Sequence, residues 1–285
     1  MEQDQLNIWR RQVWELVERN RVRPARDVLQ QALAKFPDDR ELLLGAAWVA
    51  YLGDENEEAG DLCERVLLQD PGSPGARSLL AKVFHERGAL VEAETLYNSL
   101  MRDFPDDVDY VSDFALMLVT TVHQGHAYAL ARRAIELSPD HNGARKAIVF
   151  TSLMRGEHDH VNSTLKDMME SDPQASATLH SLIVVLEDRG DAPGALRLAQ
   201  EMLRAEPDNP ALVETIVRLQ LAGHWSMRPL QWLEGQYEGL LGIGMLGIGL
   251  IALAGHPIAR VVGGVLCTYC LYGAIWPPLL KHLQR

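Results

Sequence analysis

Apolar positions in residues 40–73, "RELLLGAAWVAYLGDENEEAGDLCERVLLQDPGS", recur every three or four residues. Leu43, Ala46, Ala47, Ala50 and Tyr51 fall on one side of a helix. The stretch "LGDEN" breaks that spacing, and Gly53 is expected to take the left-handed conformation that ends a helix. Ala59, Leu62, Cys63, Val66 and Leu67 then restart it. Pro71 stops the second helix, because its ring lacks an N–H and clashes with the preceding turn. Ser73 before Pro74 reads as an N-cap followed by proline at the first helical position, and Asn209–Pro210 repeats the signature. The segment therefore predicts helix, turn, helix.

The same unit recurs along the chain. Prolines stand at 37, 71, 105, 139, 173 and 207, always 34 residues apart. A second column keeps the same period with Ala25, Ala59, Ala93, Ala127, Val161 and Ala195. The tetrapeptide "FPDD" occurs at 36–39 and again two periods later at 104–107. Gly88, Gly156 and Gly190 mark the inner turn at one register, with Gly53 one residue earlier in its own unit. A fixed period of this size means stacked supersecondary units rather than one chain-wide core. The alanine column has a steric purpose. Two antiparallel helices approach closely only where the crossing point carries a small side chain, and a leucine there would force them apart.

A 34-residue helical hairpin with alanine at position 20 and proline at position 32 resembles the tetratricopeptide repeat family. Six units fit, starting at Leu6, Arg40, Pro74, Val108, Asn142 and Ser176 and covering 6–209. A seventh first helix, 210–223, follows without its proline. The resemblance implies an all-α helical solenoid over residues 1–223, whose first helices line a concave surface that receives a protein partner. Its groove positions here give Arg10, Trp14, Trp48, Tyr51, Lys82 and His85, with Glu18, Leu44, Leu52, Ser78, Lys146, Phe150 and Met154 beside them. Trp14 and Trp48, one period apart, are expected to stack. Position 4, often Trp or Leu in the family, is Leu43 and Leu179 but Arg77 and Arg145. Position 6 gives Arg11, Gly45, Leu79 and Asp113. That lacks the basic and asparagine pattern with which some members clamp a peptide's terminal carboxylate, which argues against a chaperone-tail receptor.

The last sixty residues follow another pattern. Segments 239–255 and 261–280 are apolar with no amphipathic period, and Arg260 is the sole fixed charge between Gly239 and Leu280. At 17 and 20 residues they approach the ~20 needed to cross ~30 Å of hydrocarbon. They are expected to form two transmembrane helices in a tight hairpin, 239–285 with its short tail, entered through an interfacial linker at 224–238. Arg228, Lys281 and Arg285 flank one side and Arg260 the other. The positive-inside rule then puts solenoid and C-terminus in the cytoplasm. Gly235, Gly239, Gly242 and Gly249 lie along one helical stripe, and Gly263–Gly264 open the second segment. Small residues let helices pack closely in lipid, so these glycines are expected to contact one another's helix or another integral membrane protein. "GIGMLG" spells a dinucleotide fingerprint but no βαβ unit surrounds it.

Charge and chemistry narrow the function. The net charge is −12, and residues 1–228 hold −13 of it. Nucleic acid, which needs Lys and Arg against its phosphates, is excluded as a partner. The three cysteines form no disulfide framework for the solenoid. Cys267 and Cys270 make a CxxC inside an apolar segment and read as structural, while Cys63 reads as core. The pairs His123/His126 and His158/His160 have no third ligand at a useful spacing. No nucleophile motif, phosphate loop or carboxylate pair is present, so neither enzyme activity nor a cofactor is expected. The leading expectation is a scaffold anchored in a bacterial inner membrane, serving envelope-polysaccharide or secretion machinery. The alternatives are a small regulatory subunit of a membrane enzyme or transporter, and a redox or metal protein using Cys267 and Cys270.

Overall fold

The computed structural model describes residues 2–121, 123–207 and 209–223, and thirteen α-helices lie among them. Six hairpins follow one another. They are α1 (Glu2–Glu18) with α2 (Val22–Lys35), α3 (Arg40–Leu52) with α4 (Asn56–Gln69), and α5 (Pro74–Glu86) with α6 (Leu90–Asp103). Then come α7 (Val108–Val119) with α8 (Gln124–Leu137), α9 (Asn142–Met154) with α10 (His158–Ser171), and α11 (Ser176–Asp188) with α12 (Ala192–Ala205); α13 (Pro210–Gly223) follows. Residues up to Asp191, together with Arg197–Val213, form one compact unit, and the described part of a second is 192–196 with 214–223. The apolar segments at 239–280, their glycines (Gly235, Gly239, Gly242, Gly249, Gly263, Gly264), and Cys267 with Cys270 lie outside the described residues. Among the described residues no helix is long and apolar enough to cross a membrane.

Within the first unit the two helices of each of the first five hairpins pack together, and each first helix also touches the next first helix, α1 to α3 and onward to α11. Second helices are not brought together to the same extent, so the stack bends with the first helices on its inner side. The small column explains the hairpin contact. Ala25, Ala59 and Ala93 have no exposed surface, and Ala127 and Val161 have 1%. Gly45 marks another close approach. A Cβ added there would stand 2.6 Å from Val13 Cγ1, so α3 lies directly on α1. Between hairpins the core thickens, and Tyr97 of α6 stacks on Phe114 of α7 with centroids 5.3 Å apart. Cys63 is fully buried, and burial pushes its thiol up to about 12.

The recurring FPDD is a complete turn. Phe36 and Phe104 follow the last residues of α2 and α6, and each accepts a bond through its carbonyl from the N–H of the second aspartate, 3.2 Å from Asp39 and 3.3 Å from Asp107. Those aspartates then cap the next helix, Asp39 accepting from Leu42 N at 3.0 Å and Asp107 from Asp109 N at 3.0 Å. The phenylalanine rings anchor the turn edge-on, Phe36 against Trp9 and Phe104 against Tyr110. Asn209 caps α13 as expected, accepting from Ala211 N and Leu212 N. Ser73 stands at the N-cap of α5 without a side-chain cap bond.

The inner turn corrects one expectation. Gly53 does not take the left-handed conformation; its φ is −85°, and Asp54 carries the positive value, 63°. Asn20, Asp54, Gly88, Gly156 and Gly190 all have positive φ and share position 15 of their hairpins. The turn sets the requirement at one register, and Asn and Asp meet it where Gly is absent, since their short polar side chains tolerate that region. The arginines at position 4 link helices and turn. Arg77 reaches Asp103 at 2.6 Å and the carbonyl of Gly72 at 3.0 Å, and Arg145 reaches Ser171 Oγ and the carbonyl of Pro139, both at 2.8 Å. Each thus ties a first helix to its own second helix and to the turn before it.

Candidate partner groove on the first helices

The inner side of the first unit is built by α1, α3, α5, α7, α9 and α11. Trp48 and Tyr51 project from α3, three residues apart, and meet edge-on at 6.0 Å. Neither ring is fully buried. Trp14 is half-buried on α1, and no ring contact joins it to Trp48 among the described residues. The expected tryptophan stack is therefore replaced by a pair within α3, where i,i+3 neighbours already lie side by side.

The polar groove residues link adjacent first helices. Lys82 Nζ on α5 lies 2.6 Å from Asp113 Oδ2 on α7. His85 Nε2 shares a 2.8 Å hydrogen bond with Thr120 Oγ1, at the end of that next helix. Burial, then the nearby carboxylates of Glu86 and Asp113, push the Tyr51 phenol well above its ordinary range. Tyr51 thus stays a neutral donor at any physiological pH.

Arg10 is not a free groove cation. Its Nε lies 3.1 Å from Asp39 Oδ1, with a second contact from the guanidinium to Oδ2. Burial alone would raise the Asp39 carboxyl, but the Arg10 guanidinium and the Leu42 N–H hold it below its usual value. Arg10 therefore fastens the first hairpin to the cap of the second. Asp39→Ala removes a helix cap and leaves the guanidinium only the Glu41 carboxylate, 3.4 Å from its Nε, and is expected to cost about 1–2 kcal/mol in a denaturant titration. Arg10→Met, which takes away only the cross-link, should cost less than half as much.

Asp113 and Thr120 were not among the expected site residues, yet they fix Lys82 and His85. The available signal was the aspartate at position 6 of the fourth hairpin, one first helix beyond Lys82. Lys146 and Phe150 sit on α9, with the ammonium 5.7 Å from the ring centroid. The paired histidines are drawn to separate neighbours. His126 packs edge-on against Phe114 at 5.6 Å, and His158 Nδ1 is 3.9 Å from Asp188. Asn20 Nδ2, in the turn between α1 and α2, donates to Glu206 Oε2 at 2.7 Å.

Family models described as tetratricopeptide repeat match residues 10–74 and 54–115. Residues 10–115 carry tetratricopeptide repeats. A solved thermophilic tetratricopeptide-repeat protein of Thermus thermophilus is similar at 18% identity and a TM-score of 0.54, covering 64% of this chain and all of that one. The structure of PilF of Pseudomonas aeruginosa is similar at 14% identity and a TM-score of 0.51, covering 75% of this chain and 98% of that one. At such identities the likeness shows the fold, an all-α tetratricopeptide solenoid. Comparison with curated proteins finds no match.

Proposed function

We propose that this chain is a non-catalytic docking scaffold whose first-helix groove receives a protein partner. The observation that carries the reading is the groove surface on α3 and α5. There a Trp48–Tyr51 pair with incompletely buried rings lies beside the fixed polar groups of Lys82 and His85. Aromatic rings with polar neighbours held in place are the surface type that anchors interfaces, and tandem tetratricopeptide repeats serve widely as protein-binding scaffolds. The two apolar C-terminal segments support a membrane tether through 239–280, in a bacterial inner membrane, with the solenoid and C-terminus cytoplasmic and an integral membrane protein against the glycine stripe. Envelope-polysaccharide or secretion machinery is the setting that suits a tethered docking surface. Tethering raises the effective concentration of the docked partner without any added contact. The test is co-purification from the native host with the full chain. Trp48→Ala combined with Tyr51→Ala should lose a partner that the unaltered chain holds, while Leu68→Ala, at an 85% exposed position on α4, should keep it. Retention of every partner by the double variant would remove the groove from the account.

A further inference from the structure

Among the described residues, one groove cation stands without an anion. Lys82 spends its charge on Asp113 at 2.6 Å. Arg10 is held by Asp39. Lys146, half-buried on α9, has no carboxylate within ion-pair distance among the described residues, and its ammonium faces the Phe150 ring at 5.7 Å. Three charged or titratable groups bear on it from other first helices. Lys82 on α5 repels it, Asp113 on α7 attracts it but is already committed, and His180 on α11 turns Nδ1 to the carbonyl of Ser176 at 2.7 Å. Desolvation first, and then the Lys82 charge, lower the Lys146 pKa. Burying a charge without a partner costs stability, so such a lysine is a burden on the free protein.

We propose that Lys146 is the anion seat of the groove, receiving the side-chain carboxylate of one glutamate or aspartate of the docked protein, with Phe150 beside it for an adjoining apolar residue. This rests on the docking reading above and names the chemistry of its partner. A single carboxylate suits the site, because Lys82 and Asp113 cancel and leave one net positive charge. A phosphate dianion would bring a second negative charge toward Asp113. Pairing inside the groove also converts the cost of the unpartnered ammonium into a charge-assisted hydrogen bond on binding.

The test uses purified full-length protein and a short, labelled, C-terminally amidated peptide with one glutamate among leucine and serine, with its glutamine counterpart. Fluorescence anisotropy should show the glutamate peptide binding about tenfold more tightly than the glutamine one. Lys146→Met should abolish that preference, and Lys146→Arg should keep most of it. Without peptide, Lys146→Met should melt at a higher temperature than the unaltered chain, because a desolvated charge has gone. Equal affinity for the two peptides, a preference that survives Lys146→Met, failure of both peptides to bind, or a lower melting temperature for Lys146→Met would each overturn the proposal. So would a stronger gain from a phosphoserine peptide or from a free C-terminus. If those results came with partner loss in the Trp48/Tyr51 double variant, the docking reading would stand and only its anion seat would fall.

Discussion

Phe114→Ala is expected to destabilise the solenoid by about 3–5 kcal/mol, the range for emptying a buried aromatic site. Phe114 is 1% exposed and stacks on Tyr97 across the junction of the third and fourth hairpins, with His126 edge-on from α8. Alanine would remove the ring from the middle of that junction and leave Tyr97 without its partner. Position matters as well as amount. In a repeat array the stability is a sum of hairpin terms and nearest-neighbour interface terms. Weakening one interface should therefore uncouple the hairpins on either side. A urea titration followed by circular dichroism should show a lower midpoint and a broader or split transition. A single transition shifted by under about 1 kcal/mol would mean that the junction collapses around the loss, contrary to the packing described.

Ala59→Leu should cost about 1–3 kcal/mol through the opposite fault, overpacking. Ala59 has no exposed surface and packs with Ala50 of α3 and Val83 of α5. A leucine there must separate α3 from α4 or push α5 away, and either movement opens contacts elsewhere. Valine offers a graded comparison, since Val161 occupies the equivalent position of the fifth hairpin at 1% exposure. Ala59→Val should fall between the unaltered chain and Ala59→Leu in thermal melts. If Ala59→Leu melts at the temperature of the unaltered chain, the small column is not what sets the approach of the two helices.

Much of this architecture is legible in the residues because the period repeats its own constraints. Proline and alanine columns place the hairpins, and the structure puts those alanines at buried crossings. The left-handed turn residue was harder to find. Gly88, Gly156 and Gly190 announce it, but Asn20 and Asp54 fill it in the first two hairpins without glycine. Gly53 stands one residue before that position. The groove was half legible. Helical spacing and the family resemblance point to Trp48, Tyr51, Lys82 and His85, but pairing between helices is a tertiary matter that spacing does not carry. That is why Arg10 looked available although Asp39 holds it. Lys82 likewise looked like a binding charge although Asp113 neutralises it. Lys146, one of the lesser groove positions in the sequence, gains its importance only when the neighbouring groove cations are seen to have partners.

The central claim is that protein partners dock on the first-helix side. The most direct measurement is photo-cross-linking in living cells of the native host. A benzophenone side chain is placed at Trp48 in one full-length variant, and at Leu68, exposed on the second helix α4, in another. The account predicts a discrete protein adduct from position 48 and none from position 68. Adducts from position 68 alone, or from neither position, would contradict it.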